Sequence, residues 1–382
     1  MKPQTIMVLS CHTHSLFWFR ADMMKSFCEK GFSVVAVAQE SEDEWAEKFA
    51  KEGVRYRQLY AERNGTNPFK DLKTLRSIKR IIDEEKPDKI FCYQAKTVIY
   101  GCLAAHSRGI DEVYPLIAGL GSVFRGSGTK NALLRLILKT EYKSALKYAK
   151  AVIFQNPDDM GCFVEEKIVP REKCRIINGS GVDTEKFIPE EYPEKPAFLM
   201  ISRLIRDKGV QEYLDACRSV KKNHPEVSCM LVGPFDTNPS AVRPEELQAY
   251  IDDGSIEYFG EQEDVRPYMN RASVFVLPSY HEGTPKTVLE AMASGRAVIT
   301  TDAPGCRETV TNGNNGLLIP IKNTDALISA MEYLLRDIPL CVKMGEKGRE
   351  IAEKKYDVKC VNADIADIMK LKTAEENVHV TL

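Results

Sequence analysis

The stretch from Val274 to Gly305 reads VFVLPSYHEGTPKTVLEAMASGRAVITTDAPG and predicts a strand, a helix and a second strand in sequence. Val274 to Leu277 is a short apolar run closed by Pro278. Ala297 to Thr300 is another apolar run, rich in β-branched residues. Such continuous runs are typical of parallel strands buried on both faces, so this stretch predicts an α/β fold.

The helix between these strands has recognisable ends. Thr284 is a candidate N-cap, Pro285 suits the first helical position, and Gly295 suits the left-handed residue after the last turn. The loop Ser279 to Thr284 is therefore expected to lead into a helix N-terminus. Unpaired N–H groups and a partial positive charge make such an end a site for an anion such as phosphate.

Two carboxylates frame this predicted anion site. Glu282 lies just before the helix, and Glu290 lies inside it among apolar residues. Because helical side chains lean toward the N-terminus, the Glu290 carboxylate is expected to reach back toward the loop, where an acceptor suits sugar hydroxyls. The alternative is a solvated helix glutamate that pairs with Lys286, four residues earlier.

The composition is that of a soluble globular protein long enough for two domains, with 382 residues of which 28% are charged. A net charge of -2 gives no overall attraction to nucleic acid. The 11 cysteines form no C-x-x-C pair, which favours a reducing cytoplasm over a disulfide framework. The first apolar run, Ile6 to Leu9, is too short for a signal peptide, and no run reaches transmembrane length. We therefore expect a cytoplasmic protein, soluble or peripheral to a membrane.

Apolar runs alternate with amphipathic segments along the chain, which predicts two doubly wound Rossmann-like α/β domains facing each other across a cleft. The first domain is expected over residues 1–188 and the second over residues 197–355, with a proline-punctuated linker at 189–196. A helix over about 356–372 is expected to pack back on the first domain. Paired domains of this kind usually bind their ligand in the cleft between them.

One segment of the first domain, Gly126 to Lys150, predicts a long amphipathic helix with a basic face. The basic residues that recur every four positions are Arg135, Lys139, Lys143 and Lys147. Such a helix can lie on an anionic membrane surface, where each cation contributes about 1 kcal/mol. The alternative is an ordinary domain helix with a solvated basic face, because Leu and Ala at helical spacing are more often core than membrane anchor.

The first strand of the second domain is followed by the loop SRLIRDKG, from Ser202 to Gly209. This loop places Arg203 and Lys208 at a strand end of the same domain as the helix after Thr284. Together they would supply fixed donors and positive charge for a diphosphate. A charge-assisted hydrogen bond contributes roughly 1.5 to 3 kcal/mol. Two cations that stabilise a departing diphosphate could therefore raise the reaction rate by several orders of magnitude.

These motifs together resemble the family-4 glycosyltransferases. SRLIRDKG and PSYHEGTPKTVLEAMASGRAVITTDAPGCRE look like the C-terminal domain of that family, and IFQNPDD, NGSGVDTEKF, LVGPFD and YFGEQEDV lie where the family would place them. AGLGSVF with FQNPDD resembles the bacterial subgroup that builds polyprenyl-diphosphate-linked oligosaccharides. The resemblance implies the two-domain GT-B fold and retention of configuration at the transferred sugar.

The resemblance also implies roles for individual residues. Arg203 and Lys208 would bind the diphosphate of a nucleotide sugar, most simply a UDP-linked one, with Glu282 holding the donor sugar and Glu290 the ribose. The other residues expected around the donor are Gly233, Tyr258, Glu261, Gly283, Thr284, Pro285 and Lys286. The chain has no D-x-D pair, so we expect a leaving group stabilised by cations and a helix dipole, with no metal and no cofactor.

The first domain departs from the family pattern in two loops. Residues 10–15 read SCHTHS where many members carry a glycine pair, and residues 118–121 read AGLG where they often carry a histidine. The candidates to contact the acceptor or the donor diphosphate on this side are His12, His14, Lys96 and Gly119. The alternative for each loop histidine is an ordinary surface or loop-ordering residue.

The favoured function is a retaining transferase that moves a hexose or N-acetylhexosamine from a nucleotide sugar to a lipid-linked saccharide at the inner face of the cell membrane. A non-hydrolysing UDP-sugar epimerase has a similar architecture and is the first alternative. The second is a binding protein that keeps the nucleotide-sugar site without turnover. Nucleic acid is not expected as a partner.

Overall fold

The computed structural model of the chain describes residues 3–61, 68–121, 124, 129–238 and 240–371. Contacts divide the chain into two compact units, the first comprising Met1–Ser180 and Val361–Leu382 and the second Gly181–Cys360. The segment 189–196, expected to be a linker, lies within the second unit, and its Tyr192 hydroxyl donates to the carbonyl groups of Gly295 and Cys341 at 2.9 and 2.8 Å.

The first unit is built on a seven-stranded sheet in which every pair of neighbours is parallel. Its strands are β1 Thr5–Leu9, β2 Ser33–Ala38, β3 Arg55–Gln58, β4 Lys89–Tyr93, β5 Val113–Ile117, β6 Val152–Phe154 and β7 Cys174–Ile176. They lie in the order β3-β2-β1-β4-β5-β6-β7. The helices between them are α1 Thr13–Glu29, α2 Glu42–Lys51, α3 Pro68–Glu85, α4 Ala95–His106, α5 Thr129–Leu146 and α6 Pro157–Glu165.

Helices cover both faces of this sheet. Ile6 and Val8 of β1 point into a core shared with α1, α2 and the C-terminal segment, whereas Met7 and Leu9 point into a core shared with α3, α4, α5 and α6. The alternation follows from the two-residue period of a strand. Burial on both faces explains why these strands have continuous apolar sequences.

The second unit is built on a six-stranded parallel sheet with the order β10-β9-β8-β11-β12-β13. Its strands are β8 Ala197–Ile201, β9 Ser228–Val232, β10 Glu257–Tyr258, β11 Val274–Leu277, β12 Ala297–Thr301 and β13 Gly316–Ile319. Its helices are α7 Val210–Asn223, α8 Pro244–Asp252, α9 Arg266–Asn270, α10 Lys286–Ala293, α11 Thr324–Leu335 and α12 Ile338–Ile351. The last helix, α13 Val358–Ile368, carries the chain back, and its Val361 and Ile365 lie in the same core as Ile6.

The predicted α/β architecture is confirmed. The helix α6 and the strand β13 are among the elements that were not predicted from the sequence. The first, α6, has a clear start signal, since the Asn156 side chain accepts from the Asp159 N–H at 2.8 Å and Pro157 opens the helix. The second, β13, is a short edge strand, and only its first and last residues are buried.

The opening strand–helix–strand unit forms with one correction at its helix start. The strands β11 and β12 pair in parallel from Val274 with Ala297 onward, as predicted. The helix α10 begins at Lys286, and Pro285 occupies the N-cap with extended ψ of 108°, so Thr284 is not the N-cap and Pro285 is not the first helical residue. At the other end, Gly295 has φ of +68° and donates to Met292, which is the predicted left-handed C-terminal turn.

Candidate active site

The second unit has a topological switch point between β8 and β11. The strand order runs outward from β8 to β9 and β10 on one side and from β11 to β12 and β13 on the other. Ligands of open parallel sheets bind at the carboxyl ends of the strands where the order reverses in this way. The loops that leave these ends are 202–209 after β8 and 278–285 after β11, so the two sequence motifs meet at this point.

Backbone contacts hold these two loops against each other. The Asp207 carbonyl accepts from the Tyr280 N–H at 2.9 Å and from the Ser279 hydroxyl at 3.2 Å. Gly209 has φ of +74°, and a Cβ there would lie 2.2 Å from the Pro278 carbonyl oxygen. Only glycine therefore allows the loops to approach this closely.

A charged pair joins the two loops directly. The Lys208 ammonium lies 2.5 Å from a carboxylate oxygen of Glu282, and both side chains are largely buried. A pair held in this way contributes more than an exposed one, because water screens it less. The structure thus brings together two of the three residues predicted to carry the chemistry.

Arg203 lies on the same loop and pairs with a residue that was not predicted. Its guanidinium donates to the Asp236 carboxylate at 2.7 Å, on the loop that follows β9. The guanidinium remains about half exposed, with 44% of the side chain accessible. Asp236 lies in the motif LVGPFD, so its position after a buried strand was a signal that the sequence offered.

A third loop, after β12, contacts the backbone of Glu282. The Glu282 N–H donates to the Pro304 carbonyl at 2.9 Å. Gly305 has φ of +81°, and a Cβ there would lie 2.2 Å from the Glu282 carbonyl oxygen. The backbone of Glu282 and Gly283 is therefore fixed by a neighbour that tolerates only glycine.

Glu290 is buried inside α10, with 8% of the residue exposed. Burial raises its pKa to about 7, although the charges of Lys286 and Lys186 act in the opposite direction. Glu290 is therefore not the solvated helix glutamate of the alternative, although the charge of Lys286 does act on it. A buried carboxyl group with a pKa near neutrality suits hydroxyl recognition.

Two aromatic side chains, Phe235 after β9 and Tyr258 in β10, contact each other near the strand ends. The Tyr258 hydroxyl donates to the Gly233 carbonyl at 2.8 Å, and the Phe235 ring meets the Tyr258 ring edge-on at 5.7 Å. Phe235 is exposed and was not predicted as a site residue. Glu261 is exposed just beyond β10, and its charge helps burial to raise the Tyr258 pKa.

Tyr280 and Glu212 form a further contact beside the loops that the sequence did not indicate. The Tyr280 hydroxyl donates to the Glu212 carboxylate at 2.5 Å, and the Lys322 ammonium lies 5.1 Å from the Tyr280 ring centroid. Burial and the Glu212 charge raise the pKa of Tyr280, so this phenol stays protonated as a donor. The bond ties the loop after β11 to the first turn of α7.

The first unit has its own switch point between β1 and β4, and Gln94 occupies it. Its side-chain oxygen accepts from the Cys11 N–H at 2.8 Å and from the Ser10 hydroxyl at 3.0 Å. Gln94 also has φ of +73°, which is rare for a side chain of this size. Strain of this kind is concentrated at functional sites.

The two loop histidines are ordered by local contacts. The His12 Nδ1 accepts from the Ser15 N–H at 3.2 Å and caps α1, while its Nε2 lies 3.9 Å from a Glu40 oxygen. The His14 ring packs edge-on against Trp45 at 4.7 Å between centroids. His12 thus has the loop-ordering contact of the alternative interpretation, and contact of either histidine with an acceptor stays a prediction.

Lys96 and Gly119 are the other two candidates on this side. The Lys96 ammonium lies 2.7 Å from the Asp71 carboxylate, and both side chains are largely buried, so Lys96 ties α4 to α3. Gly119 has φ of +139° in the loop after β5. Part of that loop, residues 122, 123 and 125–128, lies outside the described residues.

The helix α5 differs from the predicted basic amphipathic helix. Arg135 and Lys139 are partly buried, and the Lys139 ammonium lies 2.6 Å from the Glu166 carboxylate. Lys143 and Lys147 are exposed. The four cations therefore do not form one solvated face, because the first two turn toward the domain. Residues 126–128 and the Lys130 side chain lie outside the description.

Two properties of the described residues bear on metals and membranes. No group of three or more His, Cys, Asp and Glu residues is arranged to hold a metal ion there. None of the helices observed in these ranges has both the length and the apolar character that crossing a bilayer requires.

Two parallel-sheet units, one carrying a cation–carboxylate pair at its switch point, define a two-domain α/β protein with a candidate anion site. Residues 182–351 match the family Glycosyl transferases group 1, and residues 7–156 match the family Glycosyl transferase 4-like. The chain belongs to these family-4-like glycosyltransferases, as its motifs predicted.

Two bacterial relatives resemble most of the chain. One is the N,N'-diacetylbacillosaminyl-diphospho-undecaprenol alpha-1,3-N-acetylgalactosaminyltransferase of Campylobacter jejuni, 29% identical over 88% of this chain and 91% of that protein. The other is the UDP-Gal:alpha-D-GlcNAc-diphosphoundecaprenol alpha-1,3-galactosyltransferase of Escherichia coli, 27% identical over 70% and 72%. Among solved structures, HepE of Anabaena in complex with UDP has a TM-score of 0.77 and 17% identity over 96% of this chain and 99% of that one. This likeness shows the GT-B fold.

The close contact between Gly305 and the Glu282 carbonyl predicts that Gly305→Ala destabilises the chain far more than Gly313→Ala. Both glycines have left-handed φ, at +81° and +78°, but nothing described lies within 4 Å of a Cβ at position 313. We expect Gly313→Ala to cost about 1 kcal/mol of backbone strain and Gly305→Ala clearly more, because the Glu282 loop must move. Thermal unfolding of both variants checks this, and equal losses would contradict the role given to the Gly305 contact.

The raised pKa of Glu290 predicts a pH-dependent cost to stability. This pKa is about 7 in the folded chain and ordinarily 4.5. Between pH 4.5 and 7, the folded state therefore holds a proton that the unfolded state has released. Stability contributed by Glu290 therefore falls as pH rises from 4.5 to 7, by on the order of 3 kcal/mol.

We expect Glu290→Gln to stabilise the chain at pH 8 and to change it little at pH 4.5, measured by thermal unfolding at both pH values. The exposed Glu346 provides the control, because Glu346→Gln should reproduce the wild-type profile. A Glu290→Gln variant with the wild-type pH dependence would show that Glu290 does not titrate in this range.

Proposed function

We propose that this chain is a retaining glycosyltransferase that moves a hexose or N-acetylhexosamine from a UDP-linked sugar to a lipid-linked saccharide. The observation that carries the proposal is the Lys208–Glu282 pair at 2.5 Å, which joins the two strand-end loops at the switch point. It supplies a cation for a diphosphate and a carboxylate for sugar hydroxyls at the same place. The Arg203 guanidinium is the second cation of this site.

The diphosphate binds between these cations in the proposed complex. It takes over hydrogen bonds that Lys208 and Arg203 now make to Glu282 and Asp236. Displaced from Lys208, the Glu282 carboxylate becomes an acceptor for the donor sugar, while the backbone N–H groups of Gly283 and Thr284 lie before α10. This exchange places positive charge next to the diphosphate, on which negative charge develops as it leaves. Stabilisation of that negative charge is usually the largest electrostatic contribution to rate enhancement.

The nucleoside is held by the elements next to the cations. Glu290, which lies inside α10, accepts hydrogen bonds from the ribose hydroxyls. Its burial strengthens each of these hydrogen bonds. Tyr258 and Phe235, with Gly233 and Glu261 beside them, border the base. UDP as the nucleotide is supported by the Escherichia coli relative, whose name specifies UDP-Gal, and by the UDP bound to HepE.

The acceptor is proposed to be a saccharide on undecaprenyl diphosphate. Both relatives are named for acceptors of this kind, and their similarity extends over most of the chain. A substrate with a polyprenyl tail stays in the membrane, so the enzyme must reach it from the membrane surface. We therefore propose a peripheral protein at the inner face of the cell membrane.

Transfer breaks the bond between the anomeric carbon and the diphosphate oxygen and forms a bond from that carbon to the acceptor oxygen. The acceptor proton passes to the departing diphosphate, and no general base is assigned among the side chains. Arg203 and Lys208 neutralise the charge that the diphosphate gains, so no metal ion is needed in this proposal.

Arg203→Ala is expected to lower turnover about 100-fold with every donor that the enzyme uses, because one charge-assisted hydrogen bond to the leaving group is lost. Arg336→Ala is the matched control, since Arg336 is an exposed arginine that also pairs with a carboxylate, Glu332. Both variants are assayed by the initial rate at which the nucleoside diphosphate is released. Near-normal turnover by Arg203→Ala would overturn the assignment of Arg203.

Activity is expected to survive exhaustive treatment with EDTA, because the leaving group is stabilised by protein cations. The measurement is the rate of transfer before and after chelation, with magnesium or manganese added back to separate samples. A loss that either metal specifically restores would contradict this expectation.

A panel of nucleotide sugars with a lipid-linked acceptor tests the function as a whole. Transfer with the anomeric configuration of the donor, read by NMR of the product, supports the proposal. Inversion would contradict the retaining mechanism. Interconversion of a UDP-sugar without acceptor would identify an epimerase, and binding of every donor without turnover would identify a binding protein.

A further inference from the structure

Tyr280 lies in the loop after β11, two residues before Glu282. Its hydroxyl donates to Oε1 of Glu212 at 2.5 Å. Glu212 lies in the first turn of α7, four residues after Lys208. The Tyr280–Glu212 hydrogen bond therefore joins the same two segments of the chain as the Lys208–Glu282 pair.

The Glu212 carboxylate depends on this phenol for its hydrogen bonding. Among the described residues, Tyr280 supplies its one hydrogen bond, and the second oxygen, Oε2, is buried without a partner. A buried carboxylate that loses its donor is costly, because water does not replace the missing bond. The position of Glu212 at a helix N-terminus favours its negative charge. Both effects keep the acceptor charged and the bond to Tyr280 in place.

The ring of Tyr280 is held by a different element. The Lys322 ammonium lies 5.1 Å from the ring centroid, and Lys322 has φ of +55°, which is rare for lysine. This residue precedes Asn323, the N-cap of α11, and α11 packs against α7. Tyr280 thus contacts the starts of two helices that pack together, which fixes the middle of the loop that carries Glu282.

The two ties between these segments differ in what happens to them when a donor binds. In the proposed complex, the diphosphate takes over Lys208, so the charged pair with Glu282 separates. Tyr280 and Glu212 have no part in the proposed binding of the diphosphate. Their hydrogen bond therefore remains when the charged pair is lost, at the step where Glu282 must meet the donor sugar.

We propose that Tyr280 is a positioning residue for sugar transfer. Its bond to Glu212 keeps the loop after β11 in place once the diphosphate has displaced Lys208, so that the Glu282 carboxylate stays aligned with the donor sugar. This inference rests on the proposed function and adds a residue that acts through Glu282. Alignment of this kind matters because small displacements of a contacting group lower the rate of the chemical step strongly.

The test begins with Tyr280→Phe, which removes the hydroxyl and keeps the ring with its cation contact. Amide hydrogen exchange of the peptide that covers residues 279–284 is measured with and without saturating UDP. Without UDP, exchange should match wild type, because the charged pair is still in place. With UDP, the variant should exchange about tenfold faster than wild type, since both side-chain ties are then absent. Equal exchange rates in the presence of UDP would overturn the proposal.

Tyr250→Phe is the matched control. The Tyr250 hydroxyl also donates to a carboxylate on α7, that of Asp215, but Tyr250 lies on α8 and not in a strand-end loop. This variant should leave the exchange of residues 279–284 unchanged with and without UDP. Thermal unfolding of both variants verifies that they are folded. Equal acceleration of exchange by Tyr250→Phe and Tyr280→Phe would indicate general loosening of α7 and would overturn the proposal.

Turnover provides a second measurement. Tyr280→Phe should lower kcat about tenfold and keep the Kd for UDP within about twofold, because the groups that bind the nucleotide are unchanged. Glu212→Gln should retain near-normal kcat, since the amide oxygen still accepts from the phenol, whereas Glu212→Ala should reproduce Tyr280→Phe. The double variant Tyr280→Phe, Glu212→Ala should be no slower than either single variant. Additive losses, or equal losses from Gln and Ala at position 212, would contradict action through this bond.

Failure of this inference can be distinguished from failure of the proposed function. Wild type that binds UDP but transfers sugar from no donor would refute the proposed function, and the exchange measurement would still decide whether Tyr280 holds the loop. Wild type that does not bind UDP would refute both. Normal transfer by wild type and by Tyr280→Phe alike would refute only the positioning role.

Discussion

The close approach of two loops at the β8–β11 switch point is the constraint on which the candidate site depends. Gly209 lets the backbone after β8 lie against Pro278, and the Asp207 carbonyl binds the loop after β11. Only with these contacts in place can Lys208 reach Glu282. Main-chain hydrogen bonds and a missing Cβ thus set the geometry that the charged side chains use, so the positions of the charges follow from the backbone.

The site is held in a charge-balanced form before any donor binds. Each cation of the loop after β8 has a carboxylate partner, Glu282 for Lys208 and Asp236 for Arg203. Partnered cations are stable in a partly buried place, where unpaired ones would be costly. A diphosphate that replaces these partners restores the balance and releases the carboxylates to bind sugar hydroxyls, so the same residues serve stability and the proposed chemistry.

The two units use their switch points differently. In the second, cations and a helix start form the candidate anion site, whereas in the first a strained Gln94 fixes the loop after β1 through two hydrogen bonds. Strain at Gln94 is tolerated because these bonds and the N-terminus of α4 determine its conformation.

The sequence by itself determined the α/β class, most strands, and the motif residues Arg203, Lys208, Glu282 and Glu290, because continuous apolar runs and residues at strand ends are local signals. It did not determine which partners these residues take. The contacts of Asp236, Tyr280 and Gln94 form only when loops distant in the chain are brought together at strand ends. The same reason applies to α5, where the pattern showed both apolar and basic residues but only packing against α4 and Glu166 decided which of them face outward. Local pattern specifies which elements form, and tertiary packing specifies which side of each element is exposed.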